Sequence, residues 1–407
     1  MNAPSRSWFA LLLICSAVFC AFVAVFAIPP LMGMLTRQFQ ISYARAGLFM
    51  TAYTMIPTFG SLLIGFYSDR IGVRRAVLNG LTLLGAAGIL SSLTQTFWQM
   101  LACRILIGIG ATSIFVPGLA TVLHLLPPAR VNLATGAFFS SLNLGLSVAM
   151  LSTPTIAKSL GWRVPLSLFG ALAMILAAII LCFTNADFFR RSWNATSEST
   201  KASTRESSGW PLVLVSAGNF LLFFQSFAMI TWLPEYLSQQ RQFPPGQVGA
   251  ISMLLGLVVI PGSVLAGWLA DRVGAWLVAV AGAVLCAICP AVLVLATELR
   301  SSRVSIAICL LSLGTSLLAV PLTSVLAKLV AQEHGGKAVG LILTTGYGGA
   351  IVSTYLGGYL LTASGSSRWT FFMCSLSMLL TVVVLAFLRE TYRLLETRPD
   401  LSAEALR

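Results

Sequence analysis

The stretch Gly65-Phe66-Tyr67-Ser68-Asp69-Arg70-Ile71-Gly72-Val73-Arg74-Arg75 interrupts an otherwise apolar part of the chain, and a shorter version returns as Gly267-Trp268-Leu269-Ala270-Asp271-Arg272-Val273-Gly274. The two copies lie 202 residues apart. At the same offset Gly47 matches Gly249, Gly60 matches Gly262, Ser61 matches Ser263 and Leu63 matches Leu265, so that eight identities fall within 26 positions. Asp and Arg are scarce in this chain, so composition alone does not produce such a match. A repeat of that period means duplicated architecture. The residue types are informative too. Gly65 and Gly267 permit close helix approach, Gly72 and Gly274 allow a tight turn, and Asp69 suits the positive N-terminal end of a neighbouring helix.

Around these loops the composition is that of a membrane protein. Of 407 residues, 57% are hydrophobic and 9% charged, with a mean hydropathy of +0.90. Soluble domains carry about 25% charged residues. The net charge of +13 would suit nucleic acid only as a basic face on a soluble domain. Here 24 of the 25 Lys and Arg residues flank apolar runs, so no nucleic-acid partner is expected. The runs fall at 8–35, 46–66, 76–95, 97–124, 131–156, 163–184, 210–234, 246–268, 276–298, 303–328, 337–362 and 368–389. Backbone in a bilayer must satisfy its own hydrogen bonds, so runs of this length are helices. The first run is too long for the apolar core of a signal peptide and is expected to remain as a helix. The expected fold is an all-α polytopic membrane protein of twelve transmembrane helices in two pseudo-symmetric six-helix bundles. Residues 1–184 form the first bundle, 185–209 a Ser/Thr-rich cytoplasmic linker, 210–389 the second bundle and 390–407 a cytoplasmic tail. An even-numbered repeat keeps its orientation, so the repeat axis runs along the membrane normal. With the N-terminus inside, sixteen Lys and Arg lie on the interior side and eight on the other. The positive-inside rule then places both termini in the cytoplasm, which sets the protein in the plasma (inner) membrane with lipid as its surroundings.

The motif resembles the Gly-x-x-x-Asp-Arg-x-Gly-x-Arg signature of the major facilitator superfamily, and the resemblance extends over the whole chain. The first copy departs in Val73, where Arg is common, and the second weakens after Gly274. Arg104-Ile105-Leu106-Ile107-Gly108-Ile109-Gly110, Gly161-Trp162-Arg163, Arg368-Trp369 and Trp232-Leu233-Pro234-Glu235-Tyr236-Leu237 resemble further family patterns. The resemblance implies a secondary transporter of a small solute working by alternating access. It implies that Gly65, Asp69, Arg70, Gly72 and Arg74, with Gly267, Asp271, Arg272 and Gly274, form conformational latches on the cytoplasmic side. Asp69 would meet helix eleven near Lys337, and Asp271 would meet helix five near Asn132. Drug-exporting members carry glycines and a Gly-Pro late in helix five, where this chain has Ala149 and Met150.

Arg104 is the one Lys or Arg inside a span. A charge about two turns into the bilayer costs at least ~2.5 kcal/mol unless it faces a cavity or partner. It is therefore the leading candidate for substrate binding, and its sign points to an organic anion. Asn143, Asn219, Gln225 and Tyr347 are further candidates for the cavity lining, on stripes that include Gly136, Ser140, Ser147, Ser226, Ser312, Thr315, Ser316, Ala319, Thr323, Thr344 and Tyr355. Each Ser or Thr on these stripes has the alternative of bonding within or between helices. Phe22, Phe26, Phe115, Phe223 and Phe227 suit apolar walls or core. Glu235 and Glu298 sit at the outer ends of spans and no carboxylate lies mid-span. Proton coupling to import would then rely on the substrate's own acid. The eight cysteines lie in apolar segments, and Cys286 and Cys289 form a CxxC without nearby charge, which reads as two buried small side chains. No metal spacing, P-loop or hydrolase constellation stands out, so no cofactor, metal or enzymatic activity is expected. The expected partners are a small-molecule substrate and protons, with the protein a monomer. Two rivals remain: an exporter of lipophilic compounds, and a non-transporting solute sensor, for which the polar segments offer little output region.

Overall fold

The computed structural model describes residues 3–127, 130–185, 210–295, 300–330 and 335–397. Most of the apolar runs form one unbroken helix each, even where Pro or Gly falls inside them. These are α2 (Tyr43–Ile71), α3 (Val73–Leu93), α4 (Phe97–Leu125), α5 (Val131–Leu160) and α6 (Arg163–Phe183). In the second part of the chain come α7 (Trp210–Glu235), α9 (Ala275–Leu295), α10 (Ser301–Val330), α11 (Gly335–Ser364) and α12 (Arg368–Thr397). Caps appear where the sequence supplies them. Ser42 accepts the Arg45 N–H at the start of α2, and Thr96 with Gln99 forms a capping box at the start of α4, each satisfying otherwise orphaned donors.

Two runs expected to be continuous are broken. The first separates into α1 (Ala3–Phe26), a tight turn at Pro29–Leu31 and a short helix, Met32–Phe39. Pro29 and Pro30 carry no N–H to continue the ladder. The eighth run, α8, is in three pieces: Pro245–Ser252, Leu254–Leu257 and Val259–Val273. Pro261 cannot bond the carbonyl of Leu257, four residues before it, and the last break falls there. At the end of α7, just past Pro234, the helix widens to a π turn over Tyr236–Gln240. α12 runs to Thr397, beyond the end expected at 389. No Pro or Gly stands between 390 and 397, and Arg398 is disfavoured in a helix by Pro399 after it.

Eleven helical stretches among the described residues are long and apolar enough to cross a bilayer. α11 occupies the remaining expected span. Large apolar side chains such as Phe59, Leu62, Leu63, Trp98, Phe183 and Leu295 stand exposed, a surface suited to lipid rather than water.

The described residues divide into two compact units, one within Met1–Ser199 with Pro234–Leu257, the other within Thr200–Leu233 with Val258–Arg407. In the first, α3 packs on α4 and α6, and α1 on α5. In the second, α9 packs on α10 and α12. The duplication is visible at the helix crossings. A Cβ on Gly80 would stand 2.8 Å from the Gly110 carbonyl, and one on Gly282 would stand 2.7 Å from that of Gly314. Likewise Gly145 of α5 presses on the Phe19 carbonyl of α1, and Gly349 of α11 on that of Phe220 in α7. Small residues bring the backbones within van der Waals reach, which is how helices associate in lipid. The segment Pro234–Leu257 joins the first unit for the same reason. Cβ atoms on Gly249 and Gly256 would each lie 2.5 Å from a carbonyl of α5, those of Leu151 and Asn143.

Candidate functional site

Arg104 lies about two turns into α4, and α1 and α2 enclose it. Its side chain is 1% exposed. Nη2 donates to the Ala24 carbonyl of α1 over 3.4 Å, a long bond, while Nε and Nη1 have no hydrogen-bond partner. Tyr53 of α2 is close enough to act on its charge. Among the described residues no carboxylate forms an ion pair with it. A buried guanidinium with five donors and one weak bond is poorly satisfied, and it offers a fork to a carboxylate or sulfonate. Elsewhere in the first unit, Phe22 of α1 lies tilted 5.7 Å from Phe26 and edge-on 6.1 Å from Phe115 of α4 by ring centroids. Asn143 of α5 is half-buried and donates to the Phe139 carbonyl of its own helix at 2.9 Å.

The other candidates belong to the second unit. Asn219 of α7 is buried and donates to Thr345 Oγ1 of α11 at 3.3 Å. Phe223 and Phe227 stack at 6.0 Å, and the Tyr347 ring stands edge-on to both, at 5.5 and 5.8 Å. Gln225 is 1% exposed, with Oε1 unbonded. Asn219 and Tyr347 thus share the α7–α11 face, whereas Arg104 and Asn143 stand on separate helices of the first unit. Many of the striped hydroxyls are spent locally. Ser147, Ser312, Thr315 and Thr323 donate to carbonyls of their own helices, the bland outcome open to any Ser or Thr. Cys286 and Cys289 are buried, as expected.

The repeated loops keep their turn geometry. Gly72 has φ +85° and Gly274 φ +95°, left-handed values that disfavour a side chain. Gly65 and Gly267 do not match the expectation of close approach, because no described atom lies within 4 Å of a Cβ at either position. Asp69, Arg70, Asp271 and Arg272 are exposed, and neither carboxylate has a hydrogen-bond partner among the described residues. Their expected partners near Lys337 and Asn132 belong to the opposite units, and the Lys337 side chain, like His124, His334 and Glu298, lies outside the described residues. Arg74 fastens α3 to the end of α6 instead, with Nε donating to Thr184 Oγ1 at 2.9 Å and Nη2 to the Leu181 carbonyl at 3.2 Å. That cation on a helix C-terminus is favourable in itself. Arg272 lies 4.2 Å from the Trp268 ring centroid.

Comparison with known proteins shows the family. The pattern described as Major Facilitator Superfamily matches residues 14–347 and 216–404. The chain belongs to the Major Facilitator Superfamily. It is 24% identical to the "Gentisate transporter" of Corynebacterium glutamicum over 87% of this chain and 81% of that protein. It is 22% identical to the "Probable sulfoacetate transporter" of Cupriavidus necator over 86% of each. Its fold is similar, with a TM-score of 0.72 and 14% identity over 94% and 95% of the two chains, to a bacterial homolog of the human lysosomal transporter Spinster, solved inward-facing and unoccupied. The protein is accordingly a multi-pass membrane transporter of the facilitator kind.

Within this facilitator fold the structure adds a group that the sequence reading set aside. Glu235, taken as a residue at an outer helix end, is 5% exposed and is the one buried carboxylate among the described residues. Tyr43 Oη donates to its Oε1 at 2.6 Å, and the Gly33 N–H bonds it from the short helix Met32–Phe39. Three signals point to it in retrospect. An acidic residue follows a Pro inside an apolar run, a Gly stands where the carboxyl packs, and a Tyr opens α2.

Proposed function

We propose that this transporter imports a small organic anion, that Arg104 binds the anionic group, and that uptake is coupled to protons. The observation that carries the reading is the Arg104 guanidinium, enclosed by α1, α2 and α4 with Nε and Nη1 unbonded. An unpaired charge in that position is costly, and an anion supplies what it lacks. The relatives named for gentisate and sulfoacetate support the same class, since both of those solutes are organic anions. Asn143, Asn219, Gln225 and Tyr347 are proposed to line the route. The Asp69 and Asp271 loops are proposed to latch the cytoplasmic side, and a monomer in the inner membrane with both termini in the cytoplasm completes the reading.

The test is a thermal-shift screen of the detergent-purified protein against small carboxylates and sulfonates, neutral solutes and lipophilic cations. A ligand at a hundredfold excess over Kd stabilises the folded state by about 2.7 kcal/mol. Carboxylates or sulfonates raise the midpoint, and Arg104→Ala removes that shift. A shift confined to lipophilic cations and surviving Arg104→Ala would instead establish an exporter.

A further inference from the structure

The one buried acid among the described residues is held by hydrogen-bond donors. Glu235 Oε1 accepts the Tyr43 hydroxyl at 2.6 Å, within the range of a charge-assisted O–H···O⁻ bond. The Gly33 N–H donates to the same carboxyl. A Cβ at Gly33 would stand 2.6 Å from Oε2, so the carboxyl lies flat against that α-carbon. Arg37, one turn further along the Met32–Phe39 helix, faces it electrostatically and donates through Nη2 to Gln239 Oε1 at 2.9 Å. Tyr43 and Arg37 are the charged or titratable groups facing Glu235, and Thr36 supports Tyr43 by a hydrogen bond. Burial in apolar surroundings disfavours the ionised carboxyl most strongly, while an O–H, an N–H and a nearby cation favour it, so the two forms are held in opposition.

The position of this acid is as informative as its partners. Glu235 lies at the point where α7 leaves the second unit. Residues to Leu233 pack there, whereas Pro234–Leu257 pack with the first unit. Pro234 cannot bond the Ile230 carbonyl, and the π turn follows at Tyr236–Gln240. Such turns recur at functional sites. The segment therefore carries an interruption at each end, the π turn on one side and the break at Leu257 on the other, and Glu235 fastens one end of it.

We propose that Glu235 is a proton-binding residue whose ionised carboxylate fastens the segment Pro234–Leu257 to the rest of the first unit through Tyr43 and Gly33, and whose protonation by hydronium from the aqueous phase releases it. This deepens the proton-coupled reading above and rests on it for its role in uptake. Protonation removes the attraction of Arg37 and weakens both hydrogen bonds. An O–H bond of hydronium breaks as the carboxyl O–H forms, leaving water, and no other covalent bond changes.

Hydrogen exchange of the full, ligand-free protein in lipid nanodiscs tests this without any substrate. With rates corrected for the intrinsic pH dependence of exchange, amides of the segment 236–252 exchange at least tenfold faster at pH 5.5 than at pH 7.5. Glu235→Gln exchanges at the faster rate at both pH values. Tyr43→Phe, which deletes one donor to the ionised form, moves the step to higher pH by about one unit. Amides beside Gly80 in the α3–α4 crossing report whether each variant is folded, and Tyr43→Phe retains the test if the Gln variant is not. A wild-type segment equally protected at both pH values overturns the proposal, as does a Glu235→Gln protein that keeps the step. Neither outcome touches the binding of anions at Arg104, which the thermal-shift screen reads separately.

Discussion

At the scale of single residues, scarcity made Arg104 conspicuous and the structure explains why it is costly. Its guanidinium is buried with one long hydrogen bond, and replacing an unsatisfied buried charge with an apolar side chain of similar length commonly stabilises a protein. Arg104→Met is therefore expected to raise the thermal stability of the ligand-free protein by roughly 1–3 kcal/mol while abolishing stabilisation by carboxylates. Differential scanning fluorimetry with and without the anion reads both at once, and a fall in the ligand-free midpoint would mean that Arg104 is structural. Glu235 was not legible in the same way. A carboxylate at the end of a span ordinarily reaches the water, and the Pro before it marks a helix interruption without showing that the acid is buried. Its burial depends on Gly33 and Tyr43, about 190–200 residues earlier in the chain, and such a separation leaves no periodic trace. For Arg74 the motif suggested a latch but not its local contacts, which are with Thr184 and the Leu181 carbonyl at the end of α6.

At the scale of helices, hydropathy located the eleven spans found among the described residues because a bilayer imposes both length and internally bonded backbone. The interruptions within spans were less visible. Pro29-Pro30 breaks the first run and Pro261 the eighth, yet Pro57, Pro117, Pro154, Pro290 and Pro321 sit inside intact helices. A membrane helix tolerates Pro where its neighbours compensate, so the residue alone does not announce a break. The crossings through Gly80 with Gly110 and through Gly282 with Gly314 are the strongest packing expression of the repeat. Gly282→Val places atoms well inside van der Waals distance of the α10 backbone, at a cost of about 1–3 kcal/mol. The same change at half-buried Gly267, where no described atom lies within 4 Å of a Cβ, is expected to leave the midpoint within about 0.5 kcal/mol of wild type. Thermal melts of the two variants in detergent measure the difference. Equal midpoints would show that the α9–α10 crossing is not tightly packed in solution.

At the scale of the whole chain, the repeat was legible and the division of labour between its halves was not. The sequence divides at the polar stretch 185–209, giving two equal runs of six spans, but packing assigns Pro234–Leu257 to the first unit. The reason is local and physical. Gly249 and Gly256 let this segment lie against the α5 carbonyls of Leu151 and Asn143, and Glu235 and Gln239 add polar bonds to Tyr43 and Arg37. Gly249 is itself a repeat position, the partner of Gly47. Duplication had marked the residue without revealing what it would touch. A fragment spanning residues 1–199 therefore lacks part of its own compact unit. It leaves the α5 face beside Leu151 and the donors around Gly33 and Tyr43 without the segment that covers them. Produced alone in a membrane host, this fragment is expected to melt well below the intact chain. Co-expressed with residues 200–407, it should recover most of the difference, because the missing segment is supplied in trans. Size-exclusion chromatography and thermal melts of a fluorescently tagged 1–199 fragment, alone and with its complement, measure the effect. A complement carrying Gly249→Val should restore less, since the added methyls meet the Leu151 carbonyl. An isolated fragment as stable as the whole protein would show that the segment contributes nothing to the unit with which it packs.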